Sequence, residues 1–148
     1  MVEFPITGGT VRIDDQDYMR FILKNWYVQE NGYAVRKEGN TTVYMHLEVF
    51  GPAPHDVDHR NLNKLDNQRG NLRAATRSQN MANVGLTKGN TSGLKGVSWA
   101  SHANKWRARI RVHGKPYKHL GYFDSPAEAH EVYCLAADLL HGEFAHHG

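Results

Sequence analysis

Lys105-Trp106-Arg107-Ala108-Arg109-Ile110-Arg111-Val112-His113 alternates charged and apolar residues with almost no break. Side chains two apart on a strand share a face. Lys105, Arg107, Arg109, Arg111 and His113 therefore line one face, and Trp106, Ala108, Ile110 and Val112 the other. This period of two predicts a half-buried strand. An ordinary solvated strand mixes charge signs, because like charges in a row repel. Three arginines in register with no acid beside them favour contact with phosphates and base edges.

Working outward, Leu94 to Ala100 reads as a preceding strand, with a turn at His102-Ala103-Asn104. Tyr117 to Phe123 reads as a third strand after the turn His113-Gly114-Lys115-Pro116. Ser125-Pro126-Ala127-Glu128 then opens a helix with a Ser cap, Pro in the first helical position and Glu three residues after the Ser. Ala129, Val132, Ala136 and Leu139 continue at helical spacing, and Gly142 is placed to stop the helix.

The charge map singles out the same region. Residues 1–66 carry 7 Lys/Arg and 10 Asp/Glu, residues 67–123 carry 11 Lys/Arg and no acid, and residues 124–148 carry 5 acids and no Lys/Arg. A formal net charge of +3 hides that block. A long basic stretch free of carboxylates points to a polyanionic partner. The chain has 148 residues, 40% of them hydrophobic, which suits one ordinary domain or two small ones. No apolar run approaches the roughly 18 residues that span a bilayer. The first ten residues lack the basic head and apolar core of a secretory signal. The single cysteine, Cys134, excludes a disulfide framework and a Cys-rich zinc site, and points to a reducing compartment.

Upstream the chain reads as mixed α/β. Thr10 to Ile13 is a short strand, and Asp14 and Asp15 cap a helix over about Gln16 to Lys24. Trp26 to Val28 and Tyr33 to Val35 form a hairpin about Glu30-Asn31-Gly32. Gly39-Asn40 turns again, and Val43 to Phe50 is apolar without a decisive period. Gly51-Pro52-Ala53-Pro54 ends it.

The stretch Val57-Asp58-His59-Arg60, then Asp66-Asn67, Asn71-Leu72-Arg73 and Thr76-Arg77-Ser78-Gln79-Asn80 carries the chemistry. A hard divalent cation takes oxygen ligands. Asp58 offers a carboxylate, and Asn80 an amide oxygen in the first turns of a helix that a Thr76–Gln79 capping box begins. Two oxygen ligands leave positions for water and phosphate, which suits Mg²⁺, with Mn²⁺ as the alternative, better than Zn²⁺. A neutral His59 is placed to take a proton from water attacking a phosphorus. Asp58 and His59 serve one site only if the strand ends or bends there.

Taken together, these residues resemble the HNH (ββα-metal) nuclease motif over about residues 42–83, close to that of phage-type HNH homing endonucleases. The resemblance implies that His59 is the general base, that Asp58 and Asn80 hold the metal, and that Asn71 braces the loop and the histidine. It makes Asn67 structural, His46 a packing or supporting histidine, and Val43 to Phe50 mostly helix. Gly96-Val97-Ser98-Trp99, Lys105 to Ile110, Leu120-Gly121-Tyr122-Phe123-Asp124 and His141-Gly142-Glu143-Phe144-Ala145 resemble the plant ethylene-response-factor (Apetala-two) DNA-binding domain over about 92–146. That likeness implies a three-stranded sheet in the DNA major groove, with Lys95, Arg107, Arg109, Arg111, Tyr117 and His119 toward DNA. Arg73 is placed in the same DNA-binding set.

The expected fold is α+β: an N-terminal ββα-metal HNH nuclease module, residues 1–83, a Gly-rich linker, 84–93, and a C-terminal three-stranded antiparallel sheet packed on one helix, 94–148. The expected function is a metal-dependent, site-preferring DNA endonuclease, by resemblance a phage homing enzyme, acting as a monomer on double-stranded DNA. It needs no small-molecule cofactor and no membrane, and works in the cytoplasm of a bacterial host or infected cell. The alternative is a non-cleaving DNA-binding regulator. Intact Asp58, His59, Asn71 and Asn80 argue against it. An RNA-binding role lacks the exposed aromatic pairs that stack single-stranded bases.

Overall fold

A computed structural model describes residues 1–148, which pack as two compact units, Met1–Ala75 and Thr76–Gly148.

The first unit is built from small antiparallel pairs. Strands β1 (Val2–Ile6) and β2 (Gly9–Ile13) form a hairpin, and helix α1 (Asp15–Ile22) follows. Asp14 stands at the helix N-cap but makes no side-chain cap bond, because its carboxylate accepts the Arg69 N–H at 2.8 Å. Strands β3 (Tyr27–Val28), β4 (Ala34–Glu38) and β5 (Thr41–Tyr44) make a three-stranded meander. The ambiguous apolar run divides, with β5 giving way to helix α2 (Met45–Phe50) at Tyr44. Strands β6 (Asp56–His59) and β7 (Leu72–Ala75) pair antiparallel, with a 3-10 turn over Arg69–Asn71 before β7. Val11, Ile13, Phe21, Trp26, Met45 and Val49 sit in one core with Val57 and Leu72, so the strand that carries Asp58 and His59 is pinned by apolar neighbours. Each such fully buried side chain contributes about 1.5–3 kcal/mol.

The second unit opens with helix α3 (Arg77–Ala82), begun by the capping box expected of Thr76 and Gln79. Strands β8 (Val97–Ala100), β9 (Lys105–Ile110) and β10 (Lys118–Phe123) form an antiparallel sheet with β9 in the middle. Helix α4 (Pro126–His141) covers one face of it, with Ala129, Tyr133 and Ala137 packed around Val97, Ala108 and Ile110. Ser125 caps α4 through the Ala127 N–H, and Gly142 ends the helix at φ +53.

The second strand stops at Ile110, short of the expected Val112, the third begins at Lys118, one residue past Tyr117, and further departures mark the first and third strands. The first strand starts at Val97 rather than Leu94, because Gly96 turns the chain at φ +77. A Cβ there would lie 2.0 Å from the Tyr133 ring. The third strand is bulged between His119 and Gly121. The bulge leaves His119 opposite Arg109 and Tyr122 opposite Arg107, so both share the arginine face. The expected linker ends in a bonded turn: Asn90 holds the Leu94 carbonyl and the Gly93 N–H, and the Ser92 hydroxyl donates to the Val97 carbonyl. By packing, α3 and this segment fall in the second unit.

Candidate active site

Strand β6 ends at His59, which pairs with Leu72 beside the Asp58–Arg73 pair. Leu62 then turns the chain at φ +63, its N–H on the His59 carbonyl. Asp58 lies directly across from Arg73, whose Nε and Nη2 reach its Oδ2 at 3.0 and 2.9 Å. Both side chains are buried, at 6% and 7% exposure. Arg73 is thus not at the surface facing DNA, as its place in the basic block suggested. It neutralises a carboxylate that burial would otherwise leave costly.

His59 is 4% exposed, and its Nε2 lies 3.1 Å from Asn67 Oδ1. Asn67 is fully buried and its Nδ2 points to Met45 Sδ at 3.5 Å, which fixes the amide with its oxygen toward the imidazole. An amide oxygen only accepts, so Nε2 carries the hydrogen and the basic lone pair of neutral His59 is on Nδ1. The brace on the histidine is therefore Asn67, where motif position had put Asn71. Asn71 braces the loop alone. Its amide donates to Asn61 Oδ1 and the Asp66 carbonyl, and its Oδ1 accepts the Asn61 N–H. Asn67 also joins the loop to β2, donating its N–H to the Arg12 carbonyl at 2.8 Å.

Around His59 stands a wall of rings. His46 is 5.1 Å away between centroids, and Tyr33 lies 4.9 Å from His46 and 5.9 Å from His59. Burial lowers the His59 pKa, against the opposing pull of the Asn67 bond and of Asp58 and Asp66. Burial, with His59 next, takes His46 down to about 4. Both rings are thus neutral at neutral pH, the state a proton acceptor needs. Burial and the nearby Asp58 charge raise the Tyr33 phenol. Nothing in the sequence pattern marked Tyr33. Asn67 lay inside the motif and was legible only as a structural residue.

Asn80 lies in α3, its N–H bonded to the Thr76 carbonyl at 2.9 Å. Asp58 lies in the first unit and Asn80 in the second, and each offers an oxygen donor of the kind that a hard divalent cation takes.

On the open face of the sheet, Arg109 and Arg111 lie over the Tyr117 ring at 4.3 and 5.4 Å. Arg107 reaches Ser98 Oγ at 3.3 Å. His119 and Tyr122 pack at 4.6 Å between centroids, and the His102 Nε2 is 2.9 Å from the Tyr122 hydroxyl. Tyr122 is a member of this face that sequence reading missed, because only the bulge turns it there. Lys95 is half-buried, with its ammonium on the carbonyls of Ala82 and Val84.

A family model described as HNH endonuclease matches residues 44–82, from the end of β5 through α3. Protein 3.8 of Escherichia phage T7 is 37% identical over 78 residues, covering 49% of this chain and 64% of that protein, under two thirds of its length. An uncharacterized HNH endonuclease, L560, of Acanthamoeba polyphaga mimivirus is 34% identical over 156 aligned residues, covering 98% of this chain and 80% of that protein. No solved structure matches the chain. The second alignment runs almost end to end, so it is the whole chain, beyond residues 44–82 alone, that belongs to the HNH endonuclease family.

Proposed function

We propose that the protein is a metal-dependent, site-preferring DNA endonuclease. Residues around β6 and β7, with Asn80, cut, and the sheet β8–β10 binds. The observation that carries the reading is His59: buried, kept neutral, and held by Asn67 in one tautomer. In that state Nδ1 accepts a proton from water as it attacks the phosphorus. Arg73 holds the Asp58 carboxylate fixed in direction. Asp58 and Asn80 are the residues that would hold one hard divalent cation, Mg²⁺ or Mn²⁺, which when bound supplies Lewis-acid polarisation of the scissile phosphate. Tyr33 and His46 wall the base from bulk water.

The DNA-binding part of the reading rests on Arg107, Arg109 and His119 sharing one side of the sheet, with Arg111 and Tyr117 just beyond the strand ends against Arg109, in the manner of the ethylene-response-factor domains. Contact with the Tyr117 ring restrains the Arg109 and Arg111 guanidinium groups. A homing role would show in the gene's position, within an intron or free-standing between phage genes.

The test is plasmid cleavage by purified protein with Mg²⁺, with excess chelator, and with the Arg107, Arg109 and Arg111 to Ala triple change. The expected result is cleavage that chelator abolishes, and a triple variant that keeps slow, metal-dependent nicking while losing site preference. Its log–log salt slope for binding should fall by about one for each phosphate that is no longer neutralised. Full activity in chelator overturns the metal reading, and unchanged site preference overturns the sheet assignment.

A further inference from the structure

We propose that Lys95 is a positioning residue: its ammonium fixes the helix that carries Asn80 to the sheet that carries the arginines, and so sets where the cut falls relative to the bound sequence. This rests on the metal and sheet assignments proposed above.

The Lys95 Nζ donates to the Ala82 carbonyl at 3.1 Å and to the Val84 carbonyl. Ala82 is the last residue of α3, where helix carbonyls have no partner of their own. A cation there also meets the negative end of the helix dipole. Helix α3 has only six residues, too few to persist by its own hydrogen bonds. Its first turn is fixed by Thr76 and Gln79. Its last turn is fixed by Lys95.

The other end of Lys95 is equally committed. Gly96 follows at φ +77 and the sheet begins at Val97. The Lys95 carbonyl accepts from His130 Nδ1 on α4 at 3.1 Å. One residue thus joins the end of α3, the start of β8 and the covering helix. Burial draws the ammonium down to about 8, a cost that a phosphate-facing surface lysine would not carry. The sequence resemblance placed Lys95 toward DNA. Its bonds point inward, to the backbone that follows Asn80.

The experiment compares full-length wild type, Lys95→Met and Lys95→Arg. Three readouts are taken: DNA binding from 50 to 200 mM salt without metal, amide exchange of metal-free protein, and cut positions on a bound-site duplex with Mg²⁺. Lys95→Met should keep the wild-type salt slope. It should lose about tenfold in protection at residues 80–83 and spread its cuts over neighbouring phosphates. Lys95→Arg, which keeps the donors, should restore the principal cut. A salt slope lower by about one in Lys95→Met would make Lys95 a phosphate contact and overturn the proposal. So would a wild-type cut pattern in that variant. Should Lys95→Met lose protection along the whole chain, Lys95→Gln decides, since it keeps an N–H donor without the charge. A wild-type slope and cut position then support the clamp, and a reduced slope overturns it. A wild-type protein that never cuts would refute the nuclease and metal readings, while exchange and salt slope still judge the clamp.

Discussion

Arg73 and Arg109 are the same residue type put to opposite uses. Arg73 is buried against Asp58 at 2.9 Å, one strand across. Arg109 is partly exposed over the Tyr117 ring, with His119 across from it. Around Arg73, polar side chains answer one another: Asn67 holds His59, and Asn71 holds Asn61 and Asp66. On the sheet the cations stand on one face with few acids to answer them, Lys105 with Asp124 being the exception. A cutting site needs its groups held within tenths of an ångström before substrate arrives. A binding face needs cations left available for a partner. The two regions differ in where their polar groups find partners, inside the protein or outside it.

The largest effect that would sharpen this contrast is His59→Ala. Cleavage should fall by about 10²- to 10⁴-fold while DNA affinity stays, since in the proposed role His59 transfers a proton and does not bind DNA. Gel-shift titration beside single-turnover cleavage checks it, and a parallel loss of affinity would make His59 part of the binding face. Next, Arg73→Met should cost about 3–5 kcal/mol of folding stability by stranding the Asp58 charge. Urea unfolding measures it, with a shift below about 1 kcal/mol meaning that Arg73 is as solvated as Arg109. Third, His46 predicts an acid-sensitive fold. Its imidazole protonates near 6.5 when unfolded and near 4 when folded. Between those values the unfolded chain binds more protons, so the stability it contributes is present above about pH 6.5 and lost as pH falls toward 4. The loss is at most about 3 kcal/mol. Urea midpoints at pH 7 and 4.5 should differ by less in His46→Leu, and an equal difference would assign the acid sensitivity elsewhere.

How far each region could be read beforehand follows the same contrast. The alternation was legible over 105–110, where a face in contact with solvent and a face in contact with α4 leave a period of two in the residues, but the strand stops at Ile110, short of Val112. The caps at Ser125 and Thr76 were legible because their partners lie two or three residues away. Strand β1 was not, since Phe4 is its only buried residue and Pro5 interrupts its pattern. The choice of Asn67 over Asn71 as the histidine's brace was not, because both are asparagines in one polar loop. Which one meets His59 depends on Met45, 22 residues from Asn67. Tyr122 depended on a bulge, and Lys95 on two carbonyls more than ten residues before it.

Gly96 carries a consequence for how variation along this chain will be seen. It has a positive φ and no room for a methyl group beside Tyr133, so every replacement is opposed twice. Saturation mutagenesis scored by cleavage would rank Gly96 beside His59, although the glycine has no functional group at all. Scored by abundance of folded protein, the two positions would separate: His59 open to side chains that fill its buried place, Gly96 still fixed. The gap between the two maps, position by position, would divide the residues that the reaction needs from those that the chain needs to close.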